Sequence, residues 1–189
     1  IGHEFFEETN ERFKTRKEGG DTHPIPTGLT ALDGFLDGGL DTGTLGVFLA
    51  PPCTGKSAML VNIGYSALKV GKNVIHYSFE MSEKKSCTRY DMRITGKTKG
   101  ELVSDEESAT KLVNQFYASF GGKLIVKAYP TDASSVKTVE RHVNLVRNKK
   151  GWSPDLIIVD YADIMRGPGN EERFIQGGVY KALRDYAIR

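Results

Sequence analysis

What this chain has little of narrows its class before any motif is read. Its 189 residues include only two cysteines, Cys53 and Cys87. They stand in no metal-type spacing, which points to a reducing compartment rather than a disulfide scaffold. Excess charge is also lacking. The net charge is +2, too small to argue for or against a nucleic-acid partner, so any such surface would be a local patch. No apolar run approaches the roughly 20 residues that span a bilayer, so no membrane partner is expected. The opening stretch IGHEFFEETNERFKTRKEGG is too charged for a signal peptide, and a cytoplasmic location is expected. There is no internal repeat and no low-complexity segment. The length is enough for one domain with a sizeable core.

What is present alternates between strand and helix. LGVFLA (45–50), NVIHYSF (73–79), KLIVKAY (123–129) and DLIIVD (155–160) are short apolar runs of the kind buried parallel strands show. Between them, Met59, Leu60, Ile63, Ala67 and Leu68 keep helical spacing from Gly55 to Val70, and Gly71 marks the stop. Residues 104–120 begin with Ser104-x-x-Glu107, a capping-box signature, carry Leu112, Phe116 and Phe120 on one face, and end at Gly121-Gly122. Val136, Val139, Val143 and Val146 predict an amphipathic helix. The fold class is therefore α/β, a parallel sheet covered by helices on both faces, spanning residues 25–189. Ahead of it, residues 1–24 read as an arm. Phe6, Thr9 and Phe13 recur at helical spacing before Gly19-Gly20. Such a helix either docks on a neighbour or is a solvated arm whose phenylalanines pack on their own domain.

The chemistry concentrates at three places. LAPPCTGKSA (49–58) follows a strand and opens a helix, the context that gives a phosphate-binding loop its meaning. Pro52, Cys53, Thr54, Gly55, Lys56, Ser57 and Ala58 are placed at the nucleotide. Backbone N–H groups at the helix N-terminus would face the phosphates, Lys56 would add positive charge, and Ser57 would offer a hydroxyl to Mg²⁺. The pattern lacks its first glycine, since Ala50 stands there, and Pro51-Pro52 favours an extended approach. In LIIVDYAD, Asp160 ends a buried strand at the edge where α/β folds bind ligands and would hold Mg²⁺ through water. Asp163, beyond the strand, is the rival carboxylate. In YSFEMS (77–82), Glu80 ends the second strand at the same edge. It reads either as the base that orients or deprotonates attacking water, or as a cap for the helix starting near Ser82.

Together these strings resemble the motor domain of DnaB-type replicative helicases, within the RecA-like superfamily, from about Ile25 to Arg184, and most nearly those of tailed phages. IPTGLTALDGFLDGGLDTGTLGVFLA is similar to the segment that leads into that family's P-loop. SFEMSEKKSCTRYD is similar to its Glu-Met-Ser stretch with a following arginine, here Arg89. LIIVDYADIM is similar to its Walker B strand, and YKALRDYA (180–187) to the helix beyond it. The resemblance implies a RecA-like P-loop NTPase that uses ATP or another NTP with Mg²⁺. It implies a self-assembled ring, usually hexameric, that moves 5′-to-3′ on single-stranded DNA, with a primase and a helicase loader as further partners. It assigns Lys56 and Ser57 to phosphate and Mg²⁺, Asp160 to Mg²⁺, and Glu80 to the catalytic base. It places DNA contacts in MRGPGNEERFIQGG (165–178), at Arg166 and Arg173. It equates the leading arm with a linker helix docked on the adjacent subunit. The family's next strand, its polar sensor and its arginine finger would fall beyond Arg189. A longer natural protein is therefore expected, and this stretch alone would leave a gap between the P-loop and Walker B strands. It should then neither pack its core well nor hydrolyse NTP efficiently. The alternatives are a RecA-like ATPase of another branch, such as a strand-exchange or clock-type ATPase, and a nucleotide-binding scaffold without turnover.

The remaining signals read as structural. Cys53 fills the loop, Cys87 packs in a helix, and His76 is a satisfied core histidine. His3, His23 and His142 lack metal spacing. Trp152 packs at the mouth of the Walker B strand, and Arg147, Lys149 and Lys150 form a solvated helix end.

Overall fold

Three of the four apolar runs form one sheet. They are β1 (Val74–Ser78), β2 (Leu124–Ala128) and β3 (Leu156–Asp160), all parallel, with β1 in the centre. The computed structural model describes residues 6–17, 24–130, 134–165 and 172–188, and the side chains of these except 12, 15–17, 164 and 172–175. Val74 pairs with Leu124 and Leu156, and Ser78 with Ala128 and Asp160, so the three strands end together at one edge. Paired residues share a face. Val74, His76 and Ser78 stand with Ile158 and Asp160 on one side, and Ile75 and Tyr77 with Ile157 and Val159 on the other.

Helices cover both faces, as expected. In chain order they are α1 (Thr9–Lys17), α2 (Thr30–Phe35), α3 (Lys56–Lys69), α4 (Glu83–Thr95), α5 (Lys99–Ser104), α6 (Glu106–Phe120), α7 (Val136–Lys150) and α8 (Glu172–Ala187). The His76 face packs on α3 and α4 through Val61, Ala67, Leu68 and Tyr90. The Tyr77 face packs on α7 and α8 through Val139, Val143, Val146, Val179 and Leu183, with Trp152 partly buried beside them. All four valines that predicted α7 are buried. The spacing of α3 also held, with the chain turning at Gly71, φ 76°. The segment leading into the loop is tied down by Asp33. Its Oδ1 accepts from the N–H and hydroxyl of Thr27 at 2.7 and 2.6 Å, and its Oδ2 from the N–H of Gly28 at 3.1 Å.

Three expectations need correction. Residues 45–50 form no strand: they pair with nothing among the described residues, and Leu49 is 86% exposed. An apolar run becomes a strand only when a neighbour completes its ladder, and the outer edge of β3 does not reach it. The capping box sits elsewhere. Ser104 is the last residue of α5, and the reciprocal pair is Thr98 with Glu101, the Thr98 N–H donating to Glu101 Oε2 at 2.7 Å. The helix expected over 104–120 is thus interrupted at Asp105, which ends α5 and starts α6. Cys87 is exposed on α4 rather than packed. In the arm a helix does form, but Phe6 and Phe13 are exposed, so the aromatic stripe is not buried on its own domain.

Candidate functional site

The loop between residues 50 and 56 owes its shape to two left-handed residues, Cys53 (φ 62°) and Gly55 (φ 98°). A side chain added at Gly55 would meet nothing within 4 Å, so glycine is needed there for backbone freedom and not for space. The Thr54 hydroxyl closes the loop by donating to the Pro51 carbonyl at 2.6 Å. Beyond it, the Met59 N–H reaches back to the Gly55 carbonyl at 2.9 Å. The N–H groups of the first turn of α3, from Lys56 to Ala58, precede that ladder and point out of the helix end. Residues 51–55 are exposed, whereas Lys56 and Ser57 are half-buried.

Lys56 reaches the sheet edge beside the residue that follows Asp160. The Lys56 ammonium lies 5.6 Å from the centre of the Tyr161 ring, and Tyr161 follows Asp160 directly. Asp160 is 2% exposed, and its Oδ2 is buried without a hydrogen-bond partner. Its carbonyl accepts from the Phe79 N–H at 2.8 Å, extending the β1–β3 ladder by one residue and carrying Glu80 to the same edge. Glu80 is exposed. The turn behind it is fixed by the Met81 N–H donating to Ser78 Oγ at 3.0 Å. Ser82, not Glu80, caps α4, so the capping alternative for Glu80 does not hold. One turn on, Glu83 accepts from Lys127 Nζ at 2.9 Å and from the Ala128 N–H at 3.2 Å, which ties α4 to the end of β2. These bonds, the lysine first, pull the Glu83 carboxyl below its ordinary range.

The rival Asp163 is engaged elsewhere. It accepts from the Tyr180 hydroxyl on α8 at 2.7 Å, and burial followed by that bond pushes the phenol up to about 12. No cluster of three His, Cys, Asp or Glu that could hold a metal occurs among the described residues. A site with one carboxylate at a strand end and one serine hydroxyl in the first turn of a helix suits Mg²⁺. That ion keeps several waters and takes further oxygens from substrate phosphates. The donor set therefore fits the expected ion.

Arg166 lies outside the described residues, and Arg173 lies in the first turn of α8 with its side chain outside them. His76 departs from expectation. Its Nδ1 is 2.9 Å from the Tyr90 hydroxyl, but its Nε2 is buried without a partner. Tyr161, Ser78 and Tyr90 belong to the surroundings of the site and escaped the sequence reading, although Ser78 sits inside the quoted YSFEMS string. A cavity of about 450 Å³ lies at the other end of the strands, between α4 and α6. Leu68, Tyr90, Ile94, Phe116 and Leu124 are among its lining residues, and it contains none of the loop residues.

The family model described as DnaB-like helicase C terminal domain matches residues 24–180. The chain is 31% identical over 175 residues to the DnaB-like replicative helicase of Enterobacteria phage T4, an alignment covering 88% of this chain and 35% of that protein. It is 37% identical over 60 residues to the DNA repair and recombination protein RadB of Methanobrevibacter smithii, covering 32% of this chain and 25% of that one. The chain thus spans about a third or less of the curated relatives it matches. A solved ATPase domain superposes with a TM-score of 0.76 at 16% identity, over 98% of this chain and 68% of its own. A DnaB-like replicative helicase, solved with attention to its interactions with primase, gives 0.75 at 14% identity, over 100% and 46%. At these identities the two structures establish the RecA-like fold.

Proposed function

This chain belongs to the DnaB-like helicase C-terminal domain family, and on that premise we propose that it is the NTP-hydrolysing motor of a replicative DNA helicase. The observation that carries the proposal is the Lys56–Tyr161 contact, which brings the loop amine to the residue that follows the buried Asp160. The α3 N-terminus and Lys56 bind the β- and γ-phosphates of ATP or another NTP, with backbone N–H groups from Pro52 to Ala58 as the cradle, the imide nitrogen of Pro52 excepted. Ser57 and Asp160 hold Mg²⁺, which supplies charge neutralisation at the transferring phosphoryl group. Glu80, held at the same edge by the Phe79–Asp160 bond and the Ser78 turn, orients and deprotonates the attacking water.

The full protein works as a ring of identical subunits, with α1 docked on the neighbour, moving 5′-to-3′ on single-stranded DNA in the host cytoplasm. Arg166 and Arg173 bind backbone phosphates, and a primase and a loader are its partners. One similar structure, a DnaB-like replicative helicase with its interactions with primase, supports the primase as partner.

The test uses the full-length protein. Lys56→Ala is expected to abolish nucleotide binding, and Glu80→Gln to lower DNA-stimulated turnover by about 10²–10⁴ while nucleotide still binds. Unwinding of a forked duplex should stop in both. Turnover unchanged in Glu80→Gln removes the base assignment. Homologous strand pairing without unwinding would favour the recombinase branch to which RadB belongs.

A further inference from the structure

On the face of the sheet beneath α3 and α4, three buried polar atoms have no partner: His76 Nε2, Ser86 Oγ and Asp160 Oδ2. His76 is 1% exposed, Asp160 2% and Ser86 0%. The pairing of His76 with Ile158, and of Ser78 with Asp160, makes the imidazole and the carboxylate diagonal neighbours on one face. Ser86 lies one turn before Tyr90 on α4, and so on the same side of that helix. Both Tyr90 and His76 feel the charge of Asp160.

The protonation pattern follows from the contacts. Burial, with Cys87 and Asp160 adding to it, holds the Tyr90 phenol protonated, so its hydroxyl has a hydrogen to give. With that hydroxyl as the donor, Nδ1 accepts and the single ring proton sits on Nε2. Burial pushes His76 down to about 4 and Arg89 pushes the same way, while Asp160 works against them. The ring is therefore neutral near pH 7. Its single N–H is then one of three unpartnered polar groups between the sheet and α4, with Asp160 Oδ2 and Ser86 Oγ the others. A single water between them would satisfy all three, since a buried water typically makes about three hydrogen bonds.

We propose that His76 is a positioning residue for Asp160, its Nε2–H reaching Oδ2 through one buried water that Ser86 Oγ also binds, with Tyr90 fixing the tautomer. Held from inside the fold, the carboxylate keeps one orientation and leaves its second oxygen for the metal. The inference rests on the reading of Asp160 as the carboxylate that serves Mg²⁺.

The test measures, in the full-length protein, the Mg²⁺ concentration that half-saturates binding of a fluorescent ATP analogue. His76→Phe keeps the bulk, loses both nitrogens, and is expected to raise that midpoint about 10- to 100-fold. His76→Gln restores an N–H donor near Nε2 and should recover most of the loss, which a merely structural role would not allow. A wild-type midpoint in His76→Phe, or equal midpoints in the Phe and Gln variants, overturns the inference. Asp160→Asn separates the two readings. If it leaves the midpoint unmoved, the metal assignment falls and takes this inference with it; if it raises the midpoint while His76→Phe does not, only the His76 role falls. Should His76→Phe fail to fold, imidazole nitrogen shifts of the wild type decide. The Nε2–H tautomer, with a shift that responds to Mg²⁺ and the analogue, supports the role, and the Nδ1–H tautomer overturns it.

Discussion

Gly55 and His76 show how differently two residues of one site depend on their surroundings. Gly55 sits at φ 98° with nothing near the place of a side chain. The cost of Gly55→Ala is purely conformational, about 1–2 kcal/mol in the left-handed region. If the loop escapes that cost by leaving its phosphate-binding shape, nucleotide affinity falls about tenfold with little change in melting temperature. Equilibrium titration beside a thermal melt checks this, and a large drop in melting temperature would contradict it. His76 instead carries a pH signature. Its folded value is lowered from 6.5 to about 4 by burial first, with Arg89 of α4 adding and Asp160 of β3 opposing, and the Tyr90 hydroxyl on its Nδ1. Above pH 6.5 the ring is neutral in both states and costs nothing. As pH falls from 6.5 toward 4, the unfolded chain takes up a proton that the folded chain refuses, so stability declines, by about 3 kcal/mol in all. Urea midpoints across that window should fall in the wild type, with this component absent in His76→Phe.

At the scale of elements, α4 is held at its start by side chains and closed at its end by the backbone of Gly96. Its start is pinned to β2 by Glu83, which binds Lys127 and the Ala128 N–H. Both side chains of the ion pair are more than a third exposed, so the pair itself contributes only about 0.2–1 kcal/mol. Its value lies in geometry, because the Glu80 turn lies in the short link, residues 79–82, between β1 and that pinned helix end. Lys127→Met should therefore lower kcat several-fold with KM unchanged, and an equal loss in KM would show that the pin serves binding instead. Beyond α4, Thr98 and Glu101 close the capping box of α5, while Ser104 ends the same helix. Thr98→Ala should cost about 1 kcal/mol. Ser104→Ala should stay within about 0.5 kcal/mol. The reverse order would restore the sequence reading of that helix. The misplacement is instructive, because Ser104-x-x-Glu107 and Thr98-x-x-Glu101 carry the same local signature. The choice between them depended on where the chain leaves Gly96, not on the signature.

Across the whole molecule, what could be read from sequence is what depends on local period. The buried valines of α7, the spacing of α3 and the three strands of the sheet were all legible, and so was the placing of Glu80 and Asp160 at the ends of neighbouring strands. What could not be read depends on partners far along the chain. The orphaned Nε2 of His76 is defined by Tyr90 and by a strand some 80 residues away. The run 45–50 is as apolar as β3, yet it lies unpaired and exposed because pairing belongs to the sheet and not to the run. Amide exchange should display this contrast directly. β1 is bonded on both sides and wholly buried, so its amides should exchange only through global unfolding. The amides of 45–50 have no partner among the described residues, and in this chain studied alone they should exchange orders of magnitude faster, close to the rate of an open loop. Protection of 45–50 equal to that of β1 would mean that the segment finds a ladder partner in solution, and the unpaired arrangement described here would not stand.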